Sequence, residues 1–153
     1  MELLYKSVIS EELKELEKSL LSSISSDISL ATEISNYLLL SGGKRLRPAL
    51  CILVSKALEY DGEDLIKLAS SIELLHTATL IHDDVVDESL FRRGKESIHS
   101  KWDNAHGVLV GDFVYSKAFQ LMASFDNPEI IRTLADSTNL SLIHISEPTR
   151  LNP

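Results

Sequence analysis

The chain has 153 residues, 44% hydrophobic and 25% charged, with a formal net charge of −8. That size fits a single globular domain, and the acidic balance argues against a nucleic-acid binder, which needs a basic face. One cysteine, Cys51, excludes an internal disulfide framework or a cysteine-built zinc site and points to the reducing cytosol. The start, Met1 to Lys6, soon turns acidic and does not read as a signal peptide, and no stretch approaches the ~20 apolar residues of a membrane span.

Helical periodicity runs through the chain and predicts an all-α fold. Residues 11–21 place Leu13, Leu16 and Leu20 three and four apart among Glu and Lys, with Ser10 as the expected N-cap before Glu11 and Glu12. Residues 27–40 read as a second helix, closed by Ser41-Gly42-Gly43. A third starts between Arg45 and Pro48 and runs to Tyr60; it is almost wholly apolar and is expected to be buried. After Asp61-Gly62 a long helix spans about 63–88. Residues 89–97 read as a polar loop, 105–125 as a mostly apolar helix, and Asn127-Pro128-Glu129 as the start of a last helix ending near Ser137. No alternation argues for strands.

Two constellations carry chemistry. The first is the acidic run at 82–87, His-Asp-Asp-Val-Val-Asp, with Arg92-Arg93-Gly94 five residues on. Asp83 and Asp87 lie four apart on one helix face, Asp84 lies beside that face, and His76 lies two turns back from Asp83. Carboxylates at a helix C-terminus oppose the macrodipole, so a hard divalent cation is the expected complement. The second is Gly42-Gly43-Lys44-Arg45-Leu46-Arg47-Pro48, where Lys44 and Arg47 can converge on one phosphate; the spacing is not that of a Walker A loop. Alone, the acidic run would read as a solvated helix end and the glycine-lysine run as an exposed turn. Together they read as a site for a metal-bound diphosphate. His82, His99 and His106 read as surface or packing residues, Cys51 as inert core and Asp112 as a buried, hydrogen-bonded structural residue.

The ordered pair Gly-Gly-Lys-Arg-x-Arg-Pro at 42–48 and Asp-Asp-x-x-Asp followed by Arg-Arg-Gly at 83–94 resembles the trans-isoprenyl diphosphate synthase family. The stretches at 77–88 and 109–115 look most like its long-chain, octaprenyl-type branch. The resemblance implies an antiparallel helix bundle of the isoprenoid synthase type and a prenyltransferase joining isopentenyl diphosphate to an allylic diphosphate. It implies that Asp83 and Asp87 ligate Mg²⁺, supported by Asp84. Arg92 would contact the allylic diphosphate, and Lys44, Arg47, His76 and Arg93 the diphosphate of isopentenyl diphosphate. Ala78 and Thr79, small where a bulky aromatic would close the elongation cavity, imply a product longer than farnesyl. A homodimer and a cytoplasmic location follow from the same resemblance.

The family pattern covers residues 1–139, and residues 140–153 depart from it and are expected to be a non-native tail. Members carry a second aspartate-rich motif in a further half, so the chain reads as a truncated, N-terminal part that is inactive alone. The alternatives are a shorter-chain, geranylgeranyl-type synthase, a non-catalytic helical partner subunit, and a diphosphate hydrolase or cyclase. The intact charge cluster speaks against a pure scaffold. The Gly-Gly-Lys-Arg-x-Arg-Pro region, which would hold a second diphosphate, speaks against a hydrolase or cyclase.

Overall fold

The computed structural model describes residues 4–26, 29–39, 43–60 and 62–146. Expectations that fall on Asp27, Leu40, Ser41, Gly42, Asp61 and residues 147–153 lie outside the described residues. The helices are α1 (Leu4–Val8), α2 (Ser10–Ser23), α3 (Ser29–Leu39), α4 (Leu46–Ala57), α5 (Leu65–Val86), α6 (Ile98–Lys101), α7 (Asn104–Ala123) and α8 (Pro128–Ser146). Between α5 and α6 lies a small ribbon of β1 (Phe91–Arg92) and β2 (Lys95–Glu96).

Helix α5 is the centre of the bundle. It is apolar nearly all round, and such a helix is stable in water only when surrounded. Accordingly α7 packs along it most extensively, with α4 and α2 on other sides. Ala69, Leu74, Ala78 and Ile81 of α5 are buried against Leu16 and Leu20 of α2, Ile52 of α4, and Val110, Val114 and Ala118 of α7. The leucine spacing of 11–21 therefore does what its period requires. Local chemistry sets the starts of α7 and α8. Asp103 Oδ1 accepts from the His106 N–H at 2.8 Å, and Asn127 Oδ1 from the Glu129 N–H at 3.0 Å, ahead of Pro128 at the first helical position.

The structure departs from the sequence-based expectations at several places. Helix α2 has no side-chain cap: Ser10 is already helical and Ile9 occupies the cap position, because the Ile9 side chain is wholly buried and its packing sets the entry. Helix α4 buries one face, Pro48, Ala49 and Ile52, while Leu46, Leu50, Val54 and Leu58 form an exposed stripe at four-residue spacing. An apolar sequence on a helix at the edge of a bundle leaves its outer face bare. The polar loop at 89–97 contains the antiparallel ribbon, paired Phe91 with Glu96 and Arg92 with Lys95. Its two-residue turn has positive φ at both Arg93 (52°) and Gly94 (78°), the arrangement of a type I′ hairpin. Helix α8 continues past Ser137 to Ser146. Asp112 is not buried: its side chain is two-thirds exposed, 3.3 Å from His82 Nε2. The short helices α1 and α6 were also not anticipated.

Candidate functional site

The site forms where the C-terminal half of α5, the turn leading into α4 and the β-ribbon meet. From α5 come His76, Asp83, Asp84 and, at its C-cap, Asp87. From the turn come Gly43, Lys44, Arg45 and Arg47, and from the ribbon Arg92 and Arg93. The positive φ at Arg93 and Gly94 folds the ribbon back over α5, which places two successive guanidinium groups over the helix face that carries His76 and Asp84.

Two adjoining cavities result. One, about 510 Å³, is lined by Gly43, Lys44, Arg45, Arg47, Glu73, His76 and Arg93. It is cationic and open. Lys44 and Arg47 do converge there, as their spacing predicts, and Arg93 faces them across the recess. A Cβ on Gly43 would lie 2.5 Å from Arg93 Nη1, so only glycine admits the guanidinium this close to the backbone. The turn is held from α1 by the Tyr5 hydroxyl, which donates to the Lys44 carbonyl at 2.6 Å. The second is a small cleft of about 30 Å³, lined by Thr77, Leu80, Asp84, Arg92, Tyr37 and Ser97, and shares Arg45, Glu73, His76 and Arg93 with the first.

Electrostatics separate the members. Burial, followed by the charges of Arg47, Arg93 and Arg92, holds His76 down to about 4, so its ring is neutral at neutral pH. Its Nε2 lies 3.1 Å from Arg47 Nη1, and a neutral ring accepts that N–H and orients the guanidinium. Asp84 is almost wholly buried and accepts from Arg92 Nε through Oδ2 at 2.6 Å, while its Oδ1 has no hydrogen-bond partner. That bond, working against burial, raises Arg92 above its ordinary value. Asp83 is also raised, first by burial and then by the neighbouring Asp87 charge. Among the described residues no group of three or more His, Cys, Asp or Glu is arranged as a ready metal cage. Asp83 and Asp87 face one way as a pair, and Asp84 is committed to Arg92.

Sequence reasoning missed three supports. Arg45 lies in the wall of the recess with its guanidinium paired to Glu17 and Glu73. Glu73, a lone acid in the apolar stretch 65–81, was the signal that a buried cation must meet it. Tyr37 of α3 donates to the Glu96 carbonyl at 3.0 Å and its ring lies 4.0 Å from Lys101 Nζ and edge-on to Trp102, which ties the ribbon to the bundle. His99 accepts or donates locally with Ser97 and His106 with Asp103, in keeping with packing roles. Cys51 is half-buried and burial pushes its thiol up, which leaves it unreactive. No helix of the described residues is long and apolar enough to cross a membrane.

Comparisons with known proteins agree with this architecture. The family model described as polyprenyl synthetase matches residues 28–145. The octaprenyl diphosphate synthase of Escherichia coli K12 is 37% identical over 145 residues, which is 90% of this chain and 45% of that protein. The crystal structure of a decaprenyl diphosphate synthase from Rhodobacter capsulatus superposes with a TM-score of 0.90 at 32% identity, covering 97% of this chain and 47% of the other. A polyprenyl synthase from Caulobacter crescentus CB15, solved with calcium and isoprenyl diphosphate, gives 0.85 at 34% identity, covering 88% and 41%. The chain thus spans less than half the length of these relatives. With a helix bundle, a paired anion recess and acidic helix end, and a family match over most of its residues, the chain belongs to the polyprenyl synthetase family.

Proposed function

We propose that the chain supplies one wall of the active site of a trans-polyprenyl diphosphate synthase, which condenses isopentenyl diphosphate with an allylic diphosphate to give a long prenyl chain. The observation that carries this reading is the pairing of a cationic recess with an acidic helix end across a shared wall of His76, Arg45, Glu73 and Arg93. Two anionic substrates and a divalent cation fit that pairing, and a single-phosphate enzyme would not need it.

Lys44, Arg47 and Arg93 hold the diphosphate of isopentenyl diphosphate, with His76 aiming Arg47. Arg92, fixed by Asp84, meets the allylic diphosphate. The donor set at Asp83 and Asp87 fits a hard divalent cation: two carboxylates one turn apart at a negative helix end, with Asp83 raised by burial and then by the Asp87 charge. Mg²⁺ held there would supply positive charge opposite the diphosphate. The calcium and isoprenyl diphosphate in the Caulobacter relative support such a cation. As the allylic C–O bond breaks, charge collects on the departing diphosphate oxygens, where Arg92 stabilises it. The double bond of isopentenyl diphosphate then attacks the allylic carbon, and loss of a proton restores neutrality. Holding both substrates in register supplies much of the acceleration. Thr79, small on α5, borders a groove between α5 and α8 beside His76 where a long chain would run, while Ala78 is packed in the core. A cytoplasmic homodimer belongs to the same reading.

The 153-residue polypeptide carries one acidic wall, so by itself it is expected to bind isopentenyl diphosphate without turning it over. Calorimetry should show binding that weakens by about 100-fold when Lys44→Ala and Arg47→Ala are combined, the loss of two charge-assisted contacts. Binding unaffected by the pair would sink the assignment of the recess. Product formed from isopentenyl and farnesyl diphosphates with Mg²⁺ by this polypeptide alone would refute the one-wall reading.

A further inference from the structure

We propose that Arg45 is a positioning residue of the anion recess: it cancels the Glu73 carboxylate, which would otherwise oppose a bound diphosphate, and pins the Lys44 to Arg47 turn between α2 and α5. The inference rests on the recess being a diphosphate site.

By sequence Arg45 is a third cation beside Lys44 and Arg47. The fold uses it differently. Its backbone takes the left-handed conformation (φ 49°) that side chains other than glycine rarely adopt. Its Nε and Nη2 donate to Glu17 Oε1 and Oε2 at 2.7 and 3.2 Å, and its Nη1 to Glu73 Oε1 at 2.7 Å. The guanidinium is only 10% exposed and Glu73 6%, against 45% for Glu17. Burial works against the Arg45 charge, but its hydrogen bonds to Glu17 and Glu73 outweigh burial and keep it cationic.

Glu73 gives this ion pair a consequence for binding. It lies on α5 one turn before His76 and lines both cavities. A carboxylate so placed repels an entering diphosphate, and in a dry wall that repulsion is only weakly screened. Arg45 lines the same two cavities and supplies the opposing charge directly beside Glu73, so that the net field on the ligand is set by Lys44, Arg47 and Arg93.

Inorganic diphosphate titrated calorimetrically into the 153-residue chain and three variants tests this. Arg45→Met should weaken binding about tenfold, and Glu73→Gln should tighten it about threefold, in keeping with one charge near a multiply charged anion. The double variant R45M/E73Q should regain near-original affinity although the Arg45 hydrogen bonds are still missing. A role in shape alone predicts the double no tighter than R45M, and that result, or a weakened E73Q, overturns the proposal. If circular dichroism shows R45M unfolded, E73Q decides by itself. An original chain that does not bind diphosphate overturns the reading of the recess and this inference with it. If the original chain binds and R45M and E73Q merely match it, this inference alone falls.

Discussion

The cationic recess and the acidic end of α5 sit side by side but are built on opposite terms. In the recess the three arginines have protein support: Arg45 answers Glu73, His76 accepts from Arg47, and Gly43 makes room for Arg93. At the acidic end, Asp83 and Asp87 repel each other at the negative terminus of a helix, and Asp83 is raised, first by burial and then by the Asp87 charge. The recess is organised by contacts within the protein. The acidic end holds carboxylates that repel each other. Asp84 belongs by sequence to the acidic run and by structure to the organised side, because it is buried against Arg92.

The contrast can be broken or sharpened in order of effect. Asp84→Ala removes the partner of a largely buried guanidinium and should cost about 2–3 kcal/mol, less than a fully buried pair because Arg92 is partly exposed. Urea denaturation would read this, and a loss near zero would move Asp84 back to the unsupported side. His76 gives a smaller effect with a fixed sign. The folded ring is held to about 4 while the unfolded ring titrates near its ordinary 6.5, so the unfolded chain binds more protons in between. Stability should therefore fall as pH drops from about 6.5 toward 4. The fall should be shallower in His76→Gln, measured by urea midpoints at several pH values.

Asp83 has the opposite sign. An acid raised in the folded state takes up its proton more readily there, so stability rises as pH falls through its raised value. Asp83→Asn should stabilise the chain at neutral pH and abolish any rise in Tm on adding Mg²⁺. An equal Mg²⁺ response in D83N would remove the cation from this helix end. The smallest effect is expected at Gly43. Gly43→Ala pushes only on the flexible tip of Arg93, so stability should change by less than about 0.5 kcal/mol while diphosphate affinity falls about threefold. A large loss of stability with unchanged affinity would show that the glycine serves the turn and not the recess.

The local geometry was legible: Asp83 and Asp87 share a face through the helical repeat alone, and Lys44 and Arg47, three residues apart across a helix start, line one recess. The burial of Leu16 and Leu20 followed from the same periodicity. The β-ribbon was not legible, since Arg93-Gly94 is an unusual pair for a type I′ turn and the flanking strands are two residues each. The exposed stripe on α4 was misjudged because apolar content reports that a helix seeks partners, not how many faces find them. Asp112 was placed in the core for the same reason, and its helix turns it outward beside His82.

The sequence by itself determined an all-helical chain with three carboxylates at the end of its central helix and a glycine-lysine-arginine turn ahead of another. These are matters of residue type and spacing over a turn or two. Only the tertiary structure decided which charges are spent on the protein. Arg45 goes to Glu17 and Glu73, and Asp84 to Arg92, while Lys44 and Arg47 line the recess and Asp83 and Asp87 lie at the helix end near Arg92. The physical reason is that a buried charge must be paired, and its partner comes from whichever element packs against it, across 28 residues of chain in the case of Arg45 and Glu73.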